Sequence, residues 1–184
     1  GVIYSEETIK ELSNILREKE LEFNKDIYLI SDEPYREIVY DNTKVPCILN
    51  YYKNSFIGYS YSKSLSLPGE RIGYIVVNPK MNTFEDITAA LNIANRILGF
   101  VNAPSLFQRV IKESLKLEVD INIYKKNRDL LYNHLVSIGF ECIKPDGAFY
   151  LFPKSPIEDD VKFCEDAKKF NILAVPGKTF GCPG

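Results

Sequence analysis

Lys63 stands in a serine-rich stretch, Ser60-Tyr61-Ser62-Lys63-Ser64, that closes a short apolar run beginning at Phe56. Asp32 and Tyr35 occupy a similar place in Ser31-Asp32-Glu33-Pro34-Tyr35, directly after Ile27-Tyr28-Leu29-Ile30. In open α/β sheets ligands bind beyond the carboxyl ends of strands, so polar residues placed there are the first candidates for chemistry. A lysine amine can capture a carbonyl carbon covalently once its neutral form is reachable through desolvation or neighbouring cations. Arg71 offers a planar fork of donors that suits an oxyanion, and Ser60 and Ser62 offer hydroxyls. Singly, each has a plainer reading. Lys63 would be a solvated loop lysine, Asp32 a cap on the turn before Pro34, Tyr35 a packing tyrosine, and Arg71 half of a surface ion pair.

The elements that must position these residues are legible from periodicity. Ser5 followed by Glu6 and Glu7 starts a helix whose apolar positions Ile9, Leu12, Ile15 and Leu16 recur at helical spacing, ending near Glu20. The runs 27–30, 56–60 and 72–77 read as strands buried on both faces. The gap between the second and third is too short for a helical crossover, so that pair is expected antiparallel within an otherwise parallel, covered sheet. Helices are expected over 84–100, 105–117 and 119–138, the last stopping at Gly139. The remainder reads as a small open α+β unit: strands near 140–143, 147–152 and 172–175, and a helix over about 157–170. The fold class is thus α/β, with residues 1–118 in a larger unit and 119–184 in a smaller one.

Composition narrows the partners. A 184-residue chain with 45% hydrophobic residues buries a sizeable core, and a net charge of -2 attracts neither nucleic acid nor an anionic membrane. Cys47, Cys142, Cys164 and Cys182 are scattered and His134 is the single histidine, so neither a disulfide framework nor a zinc site is suggested. Apolar runs fall well short of the roughly 20 residues that span a bilayer. With no export signal at the start, a cytoplasmic protein with reduced thiols is expected.

Taken together, Ser60-Tyr61-Ser62-Lys63 followed by Pro68-Gly69-Glu70-Arg71-Ile72-Gly73 resembles the SxSKxxxxPGxRxG signature of fold-type I pyridoxal-phosphate enzymes, and Ser31-Asp32-Glu33-Pro34-Tyr35 resembles their (S/A)DExY motif. The likeness extends over most of the chain. Gly1-Val2-Ile3-Tyr4-Ser5 is similar to the residues directly after the NPxNPTG turn of class I/II, aspartate-aminotransferase-like enzymes. Asp146-Gly147-Ala148-Phe149-Tyr150 is similar to their GAFY stretch, and Val175-Pro176-Gly177-Lys178-Thr179-Phe180-Gly181 to VPGxxFG.

The resemblance implies part of a large pyridoxal-phosphate-binding domain followed by part of a small α+β domain. It implies pyridoxal 5'-phosphate as cofactor, held covalently by Lys63, which then serves as general base. Asp32 would face the ring nitrogen, Tyr35 the phenolic oxygen, and Ser60, Ser62 and Arg71 the phosphate. Amino acids and 2-oxo acids are the implied substrates, and a homodimer the implied assembly of the full-length enzyme. The family's upstream asparagine and downstream carboxylate-binding arginine are not among these residues, so the chain reads as an inactive fragment of such an enzyme. Two rivals share the motif: a lyase or synthase acting at the beta or gamma carbon, and an aminotransferase-like sensor domain of a transcription regulator.

Overall fold

The computed structural model describes residues 1–181; Cys182, Pro183 and Gly184 lie outside the described residues. Helix α1 (Glu6–Phe23) starts where Ser5 accepts a hydrogen bond from the Thr8 amide at 3.2 Å, with Glu6 and Glu7 in its first turn to oppose the positive helix end. It runs three residues past Glu20 because Asn24, left-handed at φ 48°, closes it by donating to the Glu20 and Leu21 carbonyls.

Three strands follow: β1 (Leu29–Asp32), β2 (Ser55–Ser60) and β3 (Gly73–Val77), in the order β1-β2-β3. β1 and β2 are parallel, and β2 and β3 antiparallel, as the short gap requires. One face of the sheet packs inward. Ile57 meets Ile9 of α1 and Ile48, with Leu29, Cys47, Leu49, Tyr51 and Val76 around them. Each such side chain, fully buried, contributes about 1.5–3 kcal/mol. Beneath them a buried polar set fixes the segment before β2. Asn78 donates to the Leu49 and Tyr52 carbonyls, both at 3.0 Å, and Tyr52 donates to the Ile27 carbonyl at 2.7 Å.

The second face is covered over β2, where Phe56 is only 8% exposed, but is open along β1 and β3, contrary to the expectation that all three strands are covered on both sides. Pleating places Ile30 and Asp32 on that face, and the register aligns Asp32, Gly58 and Ile75 in one row across it. Ile30 is 70% exposed and Ile75 58% exposed.

Helices α3 (Phe84–Ile97) and α4 (Ser105–Ser114) follow after a one-turn helix α2 (Tyr61–Ser64) that continues β2. α4 ends three residues short of Leu117, whose amide bonds to the Ser114 carbonyl at 2.9 Å instead of continuing the helix. The chain divides into two compact units, each with its own contacts. The first comprises Val2–Ile121 together with Asp146–Ala148. That tripeptide joins it through Tyr40 N–H to the Asp146 carbonyl, Ala148 N–H to the Ile38 carbonyl, both 2.8 Å, and a bridge between Val39 and Gly147.

The second unit holds Gly1, Asn122–Pro145 and the residues from Phe149 on. It is built on α5 (Ile121–Ser137) and α6 (Asp160–Lys168). Arg128 of α5 is buried, donating to the Pro145 carbonyl at 3.0 Å and to Asp129 at 2.9 Å. Asp129 is also held by Lys144, and these two cations hold its carboxyl below the usual carboxylate range, with the Lys144 hydrogen bond the larger cause. The strands expected near 140–143, 147–152 and 172–175 do not form among the described residues. An apolar run becomes a strand only with a ladder partner, and Ile143 and Leu173 are instead among the exposed side chains. The helix expected over 157–170 is shorter, because Asp159 caps it by accepting from the Val161 and Lys162 amides. No described helix is long and apolar enough to cross a membrane.

Candidate functional site

Asp32 is the last residue of β1 and lies directly beside Gly58 of β2. The absent Gly58 side chain leaves room there: a Cβ would stand 3.8 Å from Asp32 Oδ1, in ordinary contact. The backbone pairing runs one residue further, with the Glu33 amide donating to the Gly58 carbonyl at 2.8 Å. The chain then turns. Arg36 pairs with Glu33 and donates to the Val45 carbonyl at 3.1 Å, and Ile38 N–H bonds back to the Tyr35 carbonyl at 2.9 Å. This turn sets Tyr35 next to the end of β2.

Ser60 closes β2 in extended conformation and caps α2, its Oγ accepting from the Ser62 amide at 3.4 Å. Lys63 follows on that single turn, and its Nζ lies 5.6 Å from the centroid of the Tyr35 ring, within reach of a cation–π attraction. Lys63 and Tyr35 are half-buried, as are Ser60 and Ser62, while Asp32 and Arg71 are exposed. The structure therefore brings Asp32, Tyr35, Ser60, Ser62 and Lys63 to the carboxyl ends of the two parallel strands.

Arg71 arrives differently. It is left-handed at φ 51°, the joint between a 3-10 turn (Pro68–Glu70) and β3, and its Nη1 donates to the Pro68 carbonyl at 2.9 Å. Its backbone neighbour is held close, because the Tyr61 amide donates to the Ile72 carbonyl at 3.2 Å. Next in line, Gly73 pairs with Ser60.

Sequence reasoning missed the support under α2. Tyr59 stacks on Tyr74 with ring centroids 5.0 Å apart, and Tyr61 meets both edge-on. Tyr59 donates to Ser64 Oγ at 2.7 Å, tying the strand to the turn that carries Lys63. Burial pushes the Tyr59 phenol well above its ordinary range, and the nearby Glu37 carboxylate acts in the same direction. Tyr61 and Tyr74 are raised for the same leading reason. The available signal was the pair of tyrosines flanking Ser60, which reads as strand composition rather than as a support. A cavity of about 270 Å³ lined by Glu37, Ser64, Leu117, Glu118, Val119 and Ile121 borders α2, and none of the six candidate residues lines it.

The profile of the family described as aminotransferase class I and II matches residues 1–184. The chain belongs to this family. Among curated aminotransferases, a probable aspartate aminotransferase of Methanocaldococcus jannaschii is 33% identical, covering 98% of this chain and 48% of that protein. The aspartate aminotransferase of Thermotoga maritima is 30% identical over all of this chain and 46% of its own length. The crystal structure of an aminotransferase from Eubacterium rectale is 54% identical and superposes with a TM-score of 0.95, covering 100% of this chain and 46% of that one. The chain spans about half the length of the curated aminotransferases it matches. Its fold is accordingly that of fold-type I aminotransferases, seen here as a small mixed sheet with helices.

Proposed function

We propose that this chain supplies the cofactor-holding part of a pyridoxal-phosphate-dependent aminotransferase, with an amino acid and a 2-oxo acid as substrates. The observation that carries the reading is the placement of the Lys63 amine over the Tyr35 ring at the strand ends that also present Asp32 and Ser60. The donor set fits the group. Bare Gly58 leaves the Asp32 carboxylate open to a planar ring, and two hydroxyls stand on either side of Tyr61.

Pyridoxal phosphate, when bound, supplies an electron sink for charge developing at the substrate α-carbon. Asp32 would hold the ring nitrogen protonated, and Tyr35 would donate to the phenolic oxygen. Ser60 and Ser62 would donate to the phosphate. Arg71 would join them by exchanging the Pro68 carbonyl for a phosphate oxygen, a small cost for an exposed side chain. Lys63 would capture the cofactor and, once displaced by the substrate amine, move the α-proton as a general base. A two-fold homodimer of the whole enzyme and a cytoplasmic role in amino acid metabolism fit this reading; the former would show as twice the monomer mass in light scattering.

The test is absorbance of the purified chain with pyridoxal phosphate, followed by borohydride reduction and peptide mass mapping. A visible band and a single label on Lys63, absent from Lys63→Ala, are the expected result. Label spread over surface lysines, equal in both proteins, would overturn the assignment. Product analysis with several amino acids in an enzyme containing this chain then separates amino-group transfer from elimination at the beta or gamma carbon.

A further inference from the structure

We infer that Tyr59 is a positioning residue for Lys63: through Ser64 it holds in place the one-turn helix that carries the amine. Side chains alternate between the faces of a strand, so Gly58 and Ser60 stand on the face of Asp32, while Ile57 and Tyr59 belong to the face packed on α1. The tether therefore reaches α2 from behind the candidate site. The inference rests on the proposed function for the role of Lys63 and deepens it, by assigning a part to a residue that lies away from the cofactor side of the sheet.

A turn of four residues needs such a tether, because one turn fixes several dihedrals for a single backbone hydrogen bond. The bonds that α2 makes for itself are long. The Leu65 and Leu67 amides both reach the Tyr61 carbonyl, at 3.3 and 3.4 Å, and the Ser62 amide reaches Ser60 Oγ at 3.4 Å. The Tyr61 amide bonds to the Ile72 carbonyl at 3.2 Å, which secures the start of the turn but not its end. At that end Tyr59 donates to Ser64 Oγ at 2.7 Å. Ser64 adjoins Lys63, so this bond sets the direction in which the amine leaves the turn toward Tyr35.

The phenol can act as a tether because it is itself fixed. Tyr59 is 8% exposed, stacks on Tyr74 and meets Tyr61 edge-on. Its oxygen lies on the ring axis, so a flip of the ring leaves the hydroxyl where it is. Tyr59→Phe removes the hydroxyl and keeps the ring packing. Ser64 lines the cavity of about 270 Å³, where water can replace the phenol as its partner, so the variant separates placement of the turn from folding.

The test compares the unaltered chain with Tyr59→Phe, Ser64→Ala, the double variant Y59F/S64A and Ser64→Thr. Amide hydrogen exchange at Leu65 and Leu67, followed by NMR without cofactor, reports the turn alone. The rate of borohydride-trapped label on Lys63, over a range of pyridoxal phosphate concentrations, reports the amine. In Tyr59→Phe and Ser64→Ala the two amides should exchange about three- to tenfold faster, the worth of one hydrogen bond. The limiting rate of labelling should fall by a similar factor, while the half-saturating concentration stays the same, because Asp32, Ser60 and Arg71 lie outside the turn. The double variant should be no worse than either single one, as expected for a shared bond. Ser64→Thr keeps the acceptor and should behave as the unaltered chain. Unchanged exchange in Tyr59→Phe, losses that add in the double variant, or faster exchange with an unchanged labelling rate would overturn the inference. A chain that never labels Lys63 sinks the cofactor reading instead. Exchange then decides alone: faster in Tyr59→Phe and restored in Ser64→Thr upholds the tether, and equal in all variants overturns it.

Discussion

Gly73 faces Ser60 across the antiparallel β2–β3 pair so closely that a Cβ on Gly73 would stand 2.3 Å from the Tyr59 carbonyl oxygen and 3.1 Å from Ser60 Cα. The obstacle is backbone, which does not swing aside as a side chain would. Gly73→Ala is therefore expected to push β3 from β2 and to lower stability by about 1–3 kcal/mol, the range for overpacking. Urea unfolding checks this, and a change within about 0.5 kcal/mol would mean that the strands separate without strain.

Lys63 has two properties that substitution can separate, a positive charge over Tyr35 and an amine that can lose its proton. Arginine keeps the first and lacks the second. Lys63→Arg should thus retain nearly all of the folding stability, yet lose the visible band and the borohydride-stable label as completely as Lys63→Ala. Labelling of another residue in Lys63→Arg at the wild-type level would show that capture at this edge is unspecific.

Asn78 is 1% exposed and satisfies two buried carbonyls, those of Leu49 and Tyr52. Asn78→Ala takes this donor from the Leu49 carbonyl, while the Tyr52 carbonyl keeps the Ser55 hydroxyl, and the expected loss is about 1–3 kcal/mol. Asn78→Asp keeps the shape but removes the donor and should cost at least as much at neutral pH. Chemical denaturation of the two variants measures both losses, and an unchanged midpoint in either would refute the accounting.

The raised phenols of Tyr59 and Tyr52 give stability an alkaline limit. A group whose folded value lies above its unfolded one keeps its proton in the native state after the unfolded chain has lost it. Its stabilising contribution is full below the ordinary tyrosine value near 10 and is lost as pH rises from there toward the folded value. Unfolding free energies measured at increasing pH above about 10 should fall, and the fall should be shallower in Tyr59→Phe. A curve that is flat or rises over that interval would contradict the burial seen here.

The sheet was legible where a simple constraint operates. Eleven residues lie between Ser60 and Ile72, too few for a crossover helix, so the antiparallel pair followed from length alone. The gathering of Asp32, Tyr35, Ser60, Ser62 and Lys63 followed from their places after apolar runs. β1 sits two residues later than the run 27–30 suggested. Ile27 spends its carbonyl on the Tyr52 hydroxyl, and pairing begins only when the Leu29 amide reaches the Asn54 carbonyl at 2.9 Å. That is a tertiary choice that a local pattern does not contain. The tyrosine support under α2 escaped for the same reason, since Tyr74 meets Tyr59 through register and not through sequence spacing. The missing strands of the last third mark the other limit: Ile143 and Leu173 have strand character and nothing to pair with among the described residues.

The tripeptide Asp146–Ala148 sets where a gene could be shortened. Tyr40 is 1% exposed and spends its hydroxyl on the Ala148 carbonyl at 2.6 Å, while Gly147 fits between the Ile38 carbonyl and Ile3 with no room for a side chain. A stop codon after Ile121 would look harmless on a linear map, yet it would open a hole beside Tyr40 and leave that phenol seeking water. The smallest expressible version of the lysine-bearing unit therefore ends at Ala148, and a linker can replace 122–145 only if it returns the chain to Ile38 in the same register.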